Sequence, residues 1–495
     1  MSHMISRYLQ IDLRQTRVRN SNWGPWRLFW LALAIRLTCI GLFHFYNLHP
    51  REDHFGFGYE MGRVARALAT GRGFADPFHG NTGPTAWVAP LFPLILGSIF
   101  KVFGVYSKLS AAAILSFDSL LNALIVPLLW ETGERCFGTP VGRWSAWIWA
   151  LYPAAMQYAV KWVWEMTLTA FLFQLALVLA LRMGRVGDAA GDAHGSHEAL
   201  SVSRGADGPS WGRWLGFGLV WGLLALSNPS SLLFLPVCGI WILARSGGQW
   251  VRQLPQAFCA GLLFLALIAP WTIRNQSVFH AFVPFRSNFG AELYLGNGPG
   301  ADGFLMEYNH PNMSMVQYQL YAQMGEVSYT AWRGRLASQI IRADLPRFLR
   351  LCLIRAKFYW FGVPNATSHP IVDAGRVLNY GLTSCAGLLG LALALRQRRP
   401  ASGLFAAAFL LLPVVYYIVT AGARFRHPLE PLMTVLGVCL FQQAELRLGF
   451  TFPGLRRLWP VNQSGPLVQP APAEAMIVES VAAMATCGLS TLRTR

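Results

Sequence analysis

Two carboxylates and a small group of cations stand in otherwise apolar sequence. Glu60 lies in FGYEMGRVARAL and Glu165 in KWVWEMTLTAF, each flanked by apolar side chains. Such surroundings desolvate a carboxyl and raise its pKa, so that it can accept a proton. The plainer alternatives are a solvated acid at a helix N-terminus for Glu60 and an ion pair with Lys161 for Glu165. Glu52 and Asp53 compete with Glu60 for the same role and rank second, because their sequence is more solvated. The cations are Arg424, Arg426 and His427 in the turn GARFRHPLEP, and Arg274 in PWTIRN. Guanidinium groups read phosphate oxygens in bidentate geometry; the alternative is snorkelling to a lipid surface. The types together describe a base and a phosphate-binding site.

The elements that must position them are membrane helices. The chain has 495 residues, 54% hydrophobic and only 13% charged, with a mean hydropathy of +0.37. Soluble domains carry about 25% charged residues. Several runs reach roughly 18 apolar residues, enough to cross a bilayer as a helix. The net charge of +18 reads as cytoplasmic Lys and Arg, and no basic-aromatic motif points to nucleic acid. Eight cysteines lie scattered without metal-ligand spacing. The histidines show no H-x-x-x-H or Cys/His pairing, so no protein metal site is expected, while a divalent-cation requirement stays open. The first apolar run lacks a small-residue cleavage site and reads as a retained anchor.

Four arginines before Trp26 place the N-terminal segment, residues 1–26, in the cytoplasm. A transmembrane domain over 27–446 follows, with about ten spans. Its outer loops are 47–109 and 274–375, and its cytoplasmic linker is 184–212. The apolar segment 88–103 is short and holds Pro90 and Pro93, which weaken a helix interior. Reading it as juxtamembrane or re-entrant keeps the Arg-bearing loop 182–213 inside, as the positive-inside rule asks. A helical piece begins at Glu60, with Arg63, Val64, Ala67 and Leu68 at three- and four-residue spacing, and stops at Gly71 and Gly73. The basic, aromatic stretch 346–362 suits a helix lying in the interface. Residues 447–495 read as a cytoplasmic tail. Inside the spans, Arg36 and Asp118 fall at similar depth, and a direct or water-bridged contact between them is expected. Gly296, Gly298 and Gly300 read as a surface turn, and Asn365-Ala-Thr matches a glycosylation sequon.

The ordered motifs YEMGRVARALATGRGF, GPTAWVAPLFPLILGSIFKVFG, WVWEMTLTA, LSNPSSL, PWTIRN and ARFRHPLEP resemble the GT-C glycosyltransferases. The resemblance is to bacterial protein mannosyltransferase and aminoarabinose transferase-like membrane proteins, over roughly residues 27–446. It implies an all-α GT-C-like bundle with outer-face juxtamembrane helices. The implied reaction moves a sugar from a polyprenyl-phosphate-linked donor to a protein, lipid or cell-envelope glycan acceptor, with inversion. Glu60 matches the first-loop acid, Glu165 the acid opening a later span, and Arg424 and Arg426 the basic residues near the last outer turn. Where aminoarabinose transferases carry an acid and a Lys before the Pro-rich helix, this chain reads Ala86-Trp87-Val88. The implied partners are the lipid-linked sugar, an acceptor and the bilayer of a bacterial-type inner membrane, with both termini cytoplasmic. The alternative is a transporter or flippase of a lipid-linked sugar, which should show paired halves with broken helices; no repeated halves are readable.

Overall fold

Apolar runs with few Gly or Pro interruptions become helices, and the computed structural model is built from them. It describes residues 23–48, 55–187, 210–304, 306–362 and 370–448. Among these there is no strand, only an isolated antiparallel bridge between Ala75 and Pro84. The helices run α1 (Pro25–Leu42), α2 (Glu60–Ala69), α3 (Leu91–Phe103), α4 (Lys108–Phe137), α5 (Thr139–Leu151), α6 (Pro153–Val160), α7 (Met166–Met183), α8 (Trp211–Ser227) and α9 (Leu235–Arg245). They continue as α10 (Trp250–Phe279), α11 (Phe289–Asn297), α12 (Met315–Met324), α13 (Glu326–Ala343), α14 (Leu345–Phe361), α15 (Pro370–Arg396), α16 (Ser402–Leu411), α17 (Val414–Ile418) and α18 (Glu430–Leu448).

The chain is an all-α, multi-pass membrane protein. Five of the described helices are singly long and apolar enough to cross a bilayer: α1, α4, α7, α10 and α15 from Asp373. The other expected spans coincide with shorter or broken helices. Pro153 separates α5 from α6, and Pro413 separates α16 from α17, since proline supplies no N–H to the helix ladder. Helix α3 has 13 residues and rises about 20 Å, short of a hydrocarbon core of about 30 Å. It packs on α2 instead.

The Pro153 break decides where Arg36 goes. The Trp149 carbonyl would accept from the N–H four residues on, which is Pro153 and has none. Arg36, fully buried on α1, fills the gap. Its Nη2 donates to Trp149 O at 3.1 Å and to Asn122 Oδ1 at 2.7 Å, and its Nη1 donates to Ala150 O at 3.1 Å. The expected direct Arg36–Asp118 contact is therefore not formed. Asn122, one turn beyond Asp118 on α4, takes the guanidinium, and both Asp118 carboxyl oxygens are buried without a hydrogen-bond partner. Helix-end carbonyls and an amide hold the cation without bringing a second full charge out of water.

Of the glycines at 296, 298 and 300 only Gly300 is exposed in a turn, as expected. Gly296 and Gly298 are buried, because Arg347 donates to Asn297 O and Gly298 O at 3.0 and 2.8 Å. Arg355 reaches Gly296 O, Tyr417 O and Ile418 O. These two arginines of α14 tie the segment to the chain before the GARFRHPLEP turn. The exposed face of α14 carries Leu345, Leu349 and Leu353 at helical spacing, as an interfacial helix requires.

Candidate active site

The first loop enters through Phe55–Phe57, a single 3₁₀ turn, and reverses at Gly58 and Tyr59, both at positive φ (93° and 53°). At Gly58 no side chain fits: a Cβ would stand 2.6 Å from Val163 O. That close approach brings the start of α2 against the segment Lys161–Glu165, which joins α6 to α7. Glu60, the first residue of α2, thus comes close enough to Glu165 for the two charges to interact.

Glu60 is partly buried and held from the far segment. Asn312 Nδ2 donates to Glu60 Oε1 at 2.5 Å, and His310 Nε2 lies 3.7 Å from the same oxygen. Asn312 is itself oriented on both sides. Arg63, one turn along α2 and buried, donates to its Oδ1, and its backbone N–H donates to His310 Nδ1 at 3.1 Å. Arg63 also donates to Pro77 O at 3.2 Å and bonds His79 Nε2 at 3.1 Å. One face of α2, with Glu60 and Arg63 at three-residue spacing, therefore reads Asn312 as a unit.

Glu165 is buried at the head of α7. Burial raises its carboxyl above the ordinary carboxylate range; Arg424 and then Arg286 pull it back down, and Glu60 pushes it up again. Lys161 makes no ion pair with it. Arg424 stands over the Trp164 ring at 4.0 Å and over Phe425 at 4.9 Å, a cation–π arrangement that fixes the guanidinium. Trp164 in turn lies 6.0 Å from the Tyr59 ring. Arg286 comes from the connection between α10 and α11, and its Nε donates to Trp87 O at 3.2 Å.

The remaining expected residues sit elsewhere. Arg426, in the same 3₁₀ turn as Arg424, points inward and is fully buried. It donates to Trp360 O, Tyr380 O, Ser384 Oγ, Thr383 Oγ1 and Glu430 Oε1 at 2.8–3.2 Å. His427 bonds Glu430 Oε2 through Nδ1 at 2.8 Å and lies 4.4 Å from the Tyr158 ring. Both belong to a buried network, where a paired charge avoids the cost of an isolated one, and neither presents a donor to Glu60 or Glu165. Arg274 is likewise engaged: it donates to Thr85 O and Phe74 O at 2.7 Å each, among the rings of Phe74, Trp271 and Phe279. It clamps the first loop to the end of α10. Glu52, Asp53 and Asn365 lie outside the described residues. No group of three or more His, Cys, Asp or Glu among the described residues is placed to hold a metal.

Four residues of this arrangement carried no usable signal in the sequence: Arg286, His310, Asn312 and Glu326. Glu326 opens α13 and is buried. Its carboxyl accepts from Thr85 Oγ1 at 2.5 Å, Ala86 N–H at 2.6 Å, Ser287 Oγ at 2.7 Å and Tyr321 OH at 2.8 Å. It is the clasp between the first loop and the segment that carries Arg286. The assembled chemistry is a held carboxylate, Glu60, beside a buried carboxyl, Glu165, flanked by two guanidinium groups. This set can take a proton and stabilise an oxyanion.

No protein-family model matches the chain, and no curated protein matches it. Solved structures do. The archaeal oligosaccharyltransferase AglB from Archaeoglobus fulgidus, in complex with an inhibitory peptide and a dolichol-phosphate, aligns with TM-score 0.43 and 14% identity over 93% of this chain and 54% of that one. An Archaeoglobus fulgidus oligosaccharyltransferase in the apo form aligns with TM-score 0.46 and 14% identity over 90% of this chain and 53% of that one. ArnT from Cupriavidus metallidurans bound to undecaprenyl phosphate aligns with TM-score 0.32 and 13% identity over 83% and 78%. The chain spans about half the length of the oligosaccharyltransferase.

Proposed function

We propose that this chain is a GT-C-type membrane glycosyltransferase, moving a sugar from a polyprenyl-phosphate-linked donor to an acceptor hydroxyl on the outer face of a bacterial-type inner membrane, with both termini cytoplasmic. The observation that carries the reading is the approach of the Glu60 turn to the Glu165 segment, Gly58 on Val163 and Tyr59 on Trp164, with Arg424 over the same Trp164 ring and Arg286 within electrostatic reach of Glu165. Glu60 accepts the proton of the acceptor hydroxyl as its oxygen bonds the anomeric carbon. The bond from that carbon to the phosphate oxygen breaks, and its electron pair leaves with the polyprenyl phosphate. The phosphate gains a negative charge at that moment, and Arg424 and Arg286 stand ready to stabilise it without reorganising. Glu165 lies within electrostatic reach of both guanidinium groups and lowers the cost of holding two cations together. A single displacement inverts the anomeric centre and needs no covalent nucleophile. Arg426, Arg274 and His427 act in this scheme as supports of the scaffold.

The test is transfer from a radiolabelled polyprenyl-phospho-sugar by the purified full-length protein, with acceptor lysate and with and without a chelator. Glu60→Gln keeps an oxygen for Asn312 Nδ2 and loses only basicity, so the fold should persist while transfer falls at least about a hundredfold. Near-native turnover in Glu60→Gln would remove Glu60 as the base. The chelator arm reports whether a divalent ion contributes.

A further inference from the structure

Beside the candidate active site, sharing Trp164 with it, lies a cavity. It has a volume of about 300 Å³ and is formed by His44, Phe45, Asn47 and Leu48 beyond the end of α1, Gly56 of the first loop, and Lys161–Trp164. The backbone at Val163, against which Gly58 packs, separates it from Glu60. Three features of the cavity are chemical. Lys161 is exposed and makes no ion pair with any described residue. The Asn47 Oδ1 is buried and accepts from nothing. Phe45, Leu48, Trp162 and Trp164 supply apolar walls, and the flank of α1 leading to it exposes Leu37, Leu42 and Phe43, side chains suited to lipid.

We propose that this cavity binds the headgroup of an anionic glycerophospholipid bearing free hydroxyls, with the phosphate on Lys161, a headgroup hydroxyl donating to Asn47 Oδ1, and the upper chains along Leu48 and Trp162. A cation without a carboxylate partner among the described residues calls for an anion. A buried acceptor without a donor calls for an O–H on the same molecule. An opening beside a lipid-facing helix supplies such a molecule from the bilayer itself. Aromatic side chains at this level are those that membrane interfaces favour. The site does not depend on the transfer reaction proposed above. A lipid-linked sugar donor shares its chemistry, phosphate plus hydroxyls, and is the competing source.

The experiment measures the melting temperature of the full-length protein in neutral detergent, titrated with short-chain phosphatidylglycerol, phosphatidylmethanol or phosphatidylcholine. Phosphatidylglycerol should stabilise most, phosphatidylmethanol less and phosphatidylcholine least. Lys161→Ala should raise the half-saturating phosphatidylglycerol concentration about fivefold, the effect of one Lys near a lipid phosphate, and Lys161→Arg should restore it. Asn47→Leu should abolish the preference for phosphatidylglycerol over phosphatidylmethanol. Equal stabilisation by the three lipids, or an unchanged titration in Lys161→Ala, overturns the proposal. So does a result in which Lys161→Ala weakens the response to a polyprenyl-phospho-sugar alone and leaves phosphatidylglycerol untouched, because the donor is then the occupant.

Discussion

Replacing Glu326 with Ala should loosen the clasp that holds the first loop to the segment carrying Arg286. The carboxyl receives four donors, and they are not equivalent. The hydroxyls of Thr85, Ser287 and Tyr321 can rotate to other acceptors. The Ala86 N–H cannot, and a buried unsatisfied N–H costs about 1–3 kcal/mol. One buried methylene goes as well, at about 0.8 kcal/mol. The expected loss is about 3 kcal/mol, or a local opening constant raised roughly a hundredfold at 1.4 kcal/mol per tenfold. The pH dependence has a definite sign. Burial raises the Glu326 carboxyl above its ordinary 4.5, so the folded state favours the protonated form. That contribution is complete below about pH 4.5 and declines as pH rises through the folded value. The clasp is therefore weaker at pH 8 than at pH 5, and Glu326→Ala costs less at pH 8. Glu326→Gln, which cannot ionise, removes the dependence. Hydrogen-exchange protection factors of peptides covering Ala86 and Ser287, at both pH values in nanodiscs, make the measurement. Unchanged protection in Glu326→Ala, or a clasp that strengthens from pH 5 to pH 8, would refute the reasoning.

Three further outcomes follow from the site and its scaffold. Arg424 pulls the Glu165 carboxyl down, so Arg424→Gln should move the acidic limb of the pH–activity profile to higher pH; an unmoved limb would separate Glu165 from catalysis. Arg424→Lys should weaken donor use more than acceptor use, because the guanidinium fork is lost, whereas Arg426→Ala should cost about 3–5 kcal/mol of stability by leaving Glu430 poorly paired in a buried site. A stable Arg426→Ala protein with a donor-specific defect would return Arg426 to the phosphate site. Asn122→Leu should leave Arg36 with carbonyls alone and lower thermal stability by about 1.5–3 kcal/mol, as for hydrogen bonds to a charged group, while Asp118→Asn should change it far less; comparable losses would restore the Arg36–Asp118 pairing.

What the amino-acid order determined by itself is what depends on local pattern. Composition and run length identify a multi-pass helical membrane protein, because apolar stretches of that length have no aqueous alternative. The spacing from Glu60 and the glycines at 71 and 73 mark a helix that the structure ends at Ala69. The length and prolines of 88–103 mark a short helix, seen as the 13 residues of α3. Desolvation of Glu165 was likewise legible from its apolar neighbours. What only the tertiary structure decided is which polar group meets which. Arg424 and Arg426 are two residues apart and equally basic, yet one faces Trp164 and the other is consumed by Trp360, Tyr380, Ser384, Thr383 and Glu430. Arg36 chose carbonyls freed by Pro153 on another helix over an acid at matching depth. Glu60 is held by Asn312, 252 positions away, and no periodicity encodes so distant a pair. A buried charge takes the partner that packing brings within about 3 Å with least further desolvation, and that choice is made by the assembled helices, not by the neighbours in sequence.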